Sequence, residues 1–295
     1  MEARDRSLGA LLGLVAGDRN GGPVRFALRL AESLVERREF NLTDILVRYV
    51  QWWEAGAFDT GPTAAAVLQR VSQGEDLEAA VAAVDRRAGG QTAGVGPAHR
   101  SAPLGALAFI PYEGLGRAAR QEARLTHRHP LAGWVSAAAC YLVRTLVEGA
   151  EWSDALRRVA ARLRMEAQSD IPVRQALKGP FPPAGMSVVH VATSVAGLLK
   201  EPIAAQGGGR EGPLSRGGYA PDVLRAGLRF THRAGTVGEA LDASLRFAGP
   251  ANYAPVLVGV LAGARWGADA IPGALLKHEA SLVESFRQLV AASWN

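Results

Sequence analysis

The segment Ser7-Leu8-Gly9-Ala10-Leu11-Leu12-Gly13-Leu14-Val15-Ala16-Gly17-Asp18 decides the fold class. Its apolar residues at 8, 11, 12 and 15 recur at three and four, the spacing of one helix face. Ser7 is placed to cap this helix and Gly17 to stop it. Outward from it, Pro23 suits the first turn of a second helix carrying Phe26, Leu30 and Leu34. Thr43 opens a third with Ile45, Leu46, Tyr49, Val50 and Trp53, closed by Gly56. The loop Phe58-Asp59-Thr60-Gly61-Pro62-Thr63 follows, where Asp59 or Thr60 can cap a helix holding Val67, Leu68 and Val71.

The same period predicts helices over Leu77 to Arg87, Leu115 to Leu125, Leu131 to Glu148, Trp152 to Ala167 and Val188 to Leu199. It predicts others over Asp222 to Phe230, Val237 to Phe247, Ala254 to Trp266 and His278 to Ala292. No sustained alternation of two accompanies them. The expected fold class is all-α, a single multi-helix domain over residues 1–295, since no repeat or low-complexity linker divides the chain.

Composition narrows the function classes. The chain has 295 residues, 48% hydrophobic, with 33 Lys+Arg against 28 Asp+Glu. Collagen, coiled coil and wholesale disorder do not fit these values. The longest near-unbroken apolar stretch on this reading, Ala254 to Ala264, falls short of the ~20 residues that span a bilayer. The start Met1-Glu2-Ala3-Arg4-Asp5-Arg6 lacks the apolar core of a signal peptide. The expectation is a soluble, cytoplasmic protein with no membrane partner. The one cysteine, Cys140, lies in an apolar stretch and reads as packing. Arg117, Arg120, Arg124 and Arg128 share one helix face, but Glu113 and Glu122 sit among them and aromatics are only 6% of the chain. That stripe reads as a solvated face, so no nucleic acid is expected.

Two stretches break the helical rhythm. Gly89 to Pro97 carries Gly89, Gly90, Gly94 and Gly96 and runs into His99-Arg100. Gln206 to Gly218 holds six glycines with Arg210 and Arg216, and reads as a mobile surface loop, 206–218.

Five segments, in order, resemble the ADP-ribosylglycohydrolase family, helical enzymes that remove ADP-ribose from proteins and to which the J1 crystallins also belong. Gly9 through Asp18 is similar to the family's first helix ending in Gly-Asp. Ala27-Leu28-Arg29-Leu30-Ala31-Glu32-Ser33-Leu34 resembles the helix after the family's Thr-Asp-Asp-Thr metal motif. Gly94-Val95-Gly96-Pro97-Ala98-His99-Arg100-Ser101-Ala102-Pro103-Leu104 resembles its Gly-Asn-Gly-x-x-Met-Arg-x-x-Pro-Leu loop, which contacts ADP-ribose. Leu125-Thr126-His127-Arg128-His129-Pro130 is like its Leu-Thr-His-x-x-Pro. Gly249-Pro250-Ala251-Asn252-Tyr253-Ala254 stands where the family has Gly-Asp-Thr-Asp-Thr. The resemblance implies an all-α ADP-ribosylglycohydrolase fold and an ADP-ribosyl or related nucleotide ligand, free or on an ADP-ribosylated protein.

The departures fall on the metal motifs. Gly21-Gly22-Pro23-Val24 replaces Thr-Asp-Asp-Thr, and Pro250 and Asn252 replace the two late aspartates. A binuclear magnesium centre, which needs several carboxylates, is therefore not expected. Asp18 and Asp59, with the amides of Asn20 and Asn252, could at most hold one weakly bound magnesium. Asp18 and Asp59 are the candidate catalytic acids. Arg19, Asn20, Gly94, Gly96, His99, Arg100, His127, Asn252 and Tyr253 are the candidate ligand-binding residues, with Arg100 the expected phosphate or structural-loop contact. At Asp18 the residues alone leave open a helix cap or a pairing with Arg19, and Arg100 could instead pair with Asp59 to hold two loops together. His190 reads as a core histidine, and His129 and His232 as surface residues. Two functions remain open: a glycosidic-bond hydrolase, or an inactive nucleotide-binding protein that has lost the metal pair. A purely structural role like that of the crystallins is the third.

Overall fold

A computed structural model describes residues 1–169, 187–206, 208–209 and 211–294. The all-α expectation holds: among the described residues the one β feature is an isolated bridge between Gly94 and Tyr219. The chain forms α1 (Ala3–Gly17), α2 (Gly22–Arg37), α3 (Leu42–Glu54), α4 (Pro62–Ser72) and α5 (Leu77–Arg87). Two single-turn helices follow, α6 (Gly96–Arg100) and α7 (Ala102–Ala106), then α8 (Tyr112–Arg124), α9 (Pro130–Val147) and α10 (Trp152–Ser169). The remainder is α11 (Val188–Leu198), α12 (Glu201–Gln206), α13 (Ala220–Arg233), α14 (Val237–Ala248), α15 (Ala254–Trp266) and α16 (Ala280–Ser293).

The α9 helix is the axis of the core. Every residue from Leu131 to Val147 is buried, because α1, α7, α8, α10, α11, α13 and α15 all pack around it. Its one buried cation, Arg144, donates to the carbonyls of Gly105, Ile110 and Leu107, which satisfies chain ends that would otherwise be orphaned. By length and composition α9 and the stretch Val188–Gln206 could each cross a membrane, which the reading centred on Ala254 to Ala264 missed. The α9 helix is instead 94% buried, and the second stretch breaks at Leu199-Lys200 into α11 and α12.

Helices α1 and α15 run antiparallel with their backbones in direct approach. Gly9 meets Gly263, Gly13 meets Gly259, and Gly17 meets Pro255. A Cβ on Gly13 or Gly259 would overlap the other residue's carbonyl, so only glycine fits. The consequence for function is positional: the C-terminal end of α1, Asp18, is brought against Asn252 at the N-terminal end of α15.

Several helix ends differ from expectation. Ser7 is not a cap; it lies buried inside α1 and donates to the Ala106 carbonyl at 2.8 Å. Asn41 rather than Thr43 caps α3, accepting from the Asp44 amide. Neither Asp59 nor Thr60 caps α4; Gly61 occupies that position with φ +77°. His129 is no free surface residue either, since its Nδ1 caps α9 by accepting from the Leu131 amide at 3.2 Å. His190, expected in the core, is exposed on α11. Glu122, read as part of a solvated face, is fully buried.

Candidate functional site

Two glycine-rich stretches that are far apart in sequence make one wall. The Val95 amide donates to the Gly218 carbonyl and the Ala220 amide to the Ala93 carbonyl, each at 2.9 Å. Within the expected mobile loop 206–218, residues 207 and 210 lie outside the described residues. The part from Glu211 is tied down, with Glu211 paired to Arg229 and Arg233. Opposite this wall stand the start of α2, the Asp59 loop and the Pro250–Tyr253 turn. Together they enclose a cleft of about 450 Å³, the size of ordinary small-molecule sites.

Eight of the expected residues line it: Asn20, Asp59, Gly94, Gly96, His99, His127, Asn252 and Tyr253. Asp18, Arg19 and Arg100 do not. Asp18 is buried behind the cleft floor and is held by four N–H donors. Its Oδ1 accepts from the Gly21 amide at 2.9 Å, the Asn20 amide at 3.2 Å and the Asn252 side chain at 2.7 Å. Its Oδ2 accepts from the Val24 amide at 2.9 Å. Asp18 thus satisfies amides at the start of α2, whose N-cap position Gly21 holds, which is close to the capping alternative that its sequence position allowed. Arg19 turns to the rim, where its guanidinium donates to the Ala251 carbonyl and its amide to Asn252 Oδ1.

Arg100 is the clearest correction. It is 1% exposed and lies behind the wall, its Nε donating to Glu122 Oε1 at 2.5 Å. Its guanidinium stacks on Phe26 and Tyr49 at 5.0 and 5.3 Å. The Tyr49 hydroxyl donates to the same Glu122 oxygen at 2.8 Å. Burial raises the Tyr49 phenol well above its usual range, and the Glu122 carboxylate adds to this. Arg100 therefore neutralises a buried carboxylate, not a ligand, and it does not pair with Asp59 either. Sequence reasoning missed Glu122 and Thr126. A signal for Glu122 existed, because it shares the face of Leu115, Ala118 and Ala119, the apolar side of α8.

The titrating groups are shaped by burial. His99 is lowered to about 4 by desolvation, against the opposing pull of Asp18 and of its bond to the Tyr253 carbonyl. A carbonyl only accepts, so His99 Nε2–H is the donor in that 2.9 Å bond. His127 is lowered to about 3 by desolvation and by the Arg100 charge. Asp59 is the one carboxylate among the described residues lining the cleft. Desolvation raises it above the usual aspartate value; the Asn20 amide opposes this and Asp18 reinforces it. It sits at φ +49°, unusual for a residue with a side chain, and accepts from Asn20 Nδ2 at 3.3 Å.

Besides the Asp59 carboxylate, helix starts bring partial positive charge to the cleft. Pro23 of α2, Pro62 and Thr63 of α4, and Asn252 and Tyr253 before α15 all line it, as does the Gly94–Gly96 turn. Three helix N-termini longer than two turns thus converge where no lysine or arginine is found among the described lining residues.

A model of the ADP-ribosylglycohydrolase family matches residues 24–293, so the chain belongs to the ADP-ribosylglycohydrolase family. The match begins just after the altered Gly21-Gly22-Pro23. A solved structure described as an ADP-ribosylglycohydrolase-related protein complex is similar over 99% of this chain and 99% of its own, with TM-score 0.67 and 26% identity. A comparison with curated proteins found no match.

The magnesium pair that the resemblance implies does not fit the residues present. Pro23 and Pro250 present ring carbons where carboxylates would stand, and Asp18 and Asn252 spend their polar atoms on each other and on backbone amides. The single weak cation site imagined from Asp18, Asp59, Asn20 and Asn252 is likewise not assembled, since Asp18 does not line the cleft and the Asn252 side chain is engaged through both its oxygen and its nitrogen.

Proposed function

We propose that this protein binds an ADP-ribosyl or related nucleotide group in the cleft and does so without magnesium. The family membership supplies the ligand class. The observation that carries the metal-free part is the engagement of both Asp18 oxygens by three backbone amides and the Asn252 side chain. Buried at 1% exposure with three N–H donors on Oδ1 and one on Oδ2, this carboxylate could bind a cation only by giving those bonds up. The starts of α4 and α15 take over the attraction for phosphate that metal charge would otherwise provide, since the amides at the start of α2 are already met by Asp18 and Asp59.

One observation favours a second reading, a metal-free glycosidic hydrolase. Asp59 is exposed to the cleft, where partial desolvation raises its carboxyl above the usual aspartate value, and it is the carboxylate among the described lining residues that could give or take a proton at a ribose. The two readings separate in one experiment. The melting temperature is measured in EDTA with and without ADP-ribose, and release from ADP-ribosyl-arginine is assayed in the same buffer. The binding reading predicts a stabilisation that grows with ligand concentration, about 2.7 kcal/mol at a hundredfold excess over Kd, and no turnover. Turnover that Asp59→Asn abolishes would establish the hydrolase. No stabilisation and no turnover would remove ADP-ribose from the cleft.

A further inference from the structure

A continuous chain of hydrogen bonds runs from the buried Arg100–Glu122 pair to the cleft surface. Arg100 Nη2 donates to Thr126 Oγ1 at 2.8 Å, and Thr126 Oγ1 lies 2.8 Å from His127 Nδ1. Thr126 is itself 1% exposed, so water does not complete its bonding. The direction of the last bond follows from proton counting. Arg100 brings its own proton to Oγ1, and the hydroxyl has one of its own to give. Among the described hydrogen bonds, Nδ1 is the one atom that can receive it. If Nδ1 carried a proton instead, Oγ1 would receive two donors and its own proton would be left buried without an acceptor. Nδ1 is therefore bare, and the neutral ring carries its proton on Nε2.

That nitrogen meets the cleft at its glycine wall. A Cβ on Gly94 would stand 3.0 Å from Nε2, and one on Gly96 would stand 3.5 Å from the adjoining ring carbon. The glycines leave the N–H uncovered on the side where a ligand enters.

We propose that Thr126 is a positioning residue: with Arg100 and Glu122 behind it, it fixes His127 as an Nε2–H donor aimed at an acceptor oxygen of the bound ADP-ribosyl group. The proposal rests on the reading of the cleft as an ADP-ribosyl site. It gives the buried Arg100–Glu122 pair a function at a distance, through orientation and not through contact. Because the donor is neutral, it selects a ligand oxygen by geometry and polarity without adding charge to the cleft.

The test is made on the full-length protein. Long-range proton–nitrogen spectra of ¹⁵N-labelled, ligand-free protein identify the protonated nitrogen of His127, with His127→Gln used to assign its signals. Calorimetry with ADP-ribose gives the affinity of the wild type, Thr126→Val and Thr126→Ser. The expected result is an Nε2–H ring in the wild type, a mixture of tautomers in Thr126→Val with about tenfold weaker binding, and recovery of both properties in Thr126→Ser. An Nδ1–H ring in the wild type would overturn the proposal. So would a Thr126→Val protein that keeps both the Nε2–H form and the wild-type affinity. If Thr126→Val fails to fold, the wild-type spectrum and the Thr126→Ser affinity decide. Absence of any ADP-ribose binding by the wild type would retire the ligand reading, while the tautomer in ligand-free protein would still decide the positioning role.

Discussion

Asn252 donates its side-chain amide to Asp18 Oδ1 at 2.7 Å, joining residues 234 positions apart in the chain. The same amide group accepts the Arg19 N–H through its oxygen, at 3.1 Å, so one side chain closes the floor of the cleft from both directions. An aspartate there would face Asp18 with no donor between them. Asn252→Asp is therefore expected to destabilise the protein by about 3 kcal/mol at pH 7 in EDTA, since a second buried carboxylate is left uncompensated. Urea denaturation measures this, and the loss is expected to shrink as the pH falls and the new carboxyl is protonated. A variant as stable as the wild type at pH 7 would contradict the assignment.

The Gly13–Gly259 contact sets where those two residues meet. Gly13→Ala places a methyl group into the facing carbonyl, with backbone on both sides and no flexible side chain to yield. The expected cost is about 3 kcal/mol or more, at the upper end of overpacking, with ADP-ribose affinity falling as Asp18 and Asn252 separate. Chemical denaturation checks the first and calorimetry the second. A loss below about 1 kcal/mol would mean that the helices can part without consequence.

Arg100→Ala is expected to cost about 3–5 kcal/mol, because it leaves the Glu122 carboxylate buried without its cation. Removing both charges should cost less than removing one: Arg100→Met combined with Glu122→Gln is expected to be more stable than Arg100→Ala alone. Denaturation of the three proteins decides this. Equal stabilities would show that the pair is not coupled.

Acid should destabilise the fold through its two buried histidines. His99 and His127 titrate near 4 and 3 in the folded protein but near 6.5 when unfolded, so the unfolded state takes up protons first. Their contribution to stability is complete above pH 6.5 and is lost as the pH falls from there toward 4 and 3. Each is worth about 2 kcal/mol of that loss by pH 5. Comparing denaturation at pH 7 and pH 5 for the wild type and His99→Gln checks this, and the variant should show the shallower dependence. Parallel curves would place the His99 pKa near its ordinary value.

The fold was largely legible because its signals are local. Apolar spacing of three and four marks α2, α5 and α13, which each bury one face, whereas α9 and α15 are buried all round and stand out by the length of their apolar runs. Caps were less legible, since tertiary contacts can recruit a serine such as Ser7 into the core and hand the cap to a neighbour. The cleft was legible to the extent that glycines and motif residues had to converge there, as Gly94, Gly96, His99, His127 and Asn252 do. Arg100 was misread because an arginine after a glycine loop carries the same sequence signal whether it meets a phosphate or a carboxylate. Its partner, Glu122, lies on a different helix, and the pairing exists only once α8 packs against the cleft wall.

The most direct test of the central claim is the magnesium dependence of ADP-ribose binding, measured by calorimetry on the purified protein in excess magnesium and again in EDTA. The account predicts one Kd in both buffers, because Asp18 is buried and bonded to four N–H donors and the starts of α4 and α15 provide the attraction for phosphate. Binding that appears only with magnesium would show that the cleft rebuilds a metal site, and it would contradict the account.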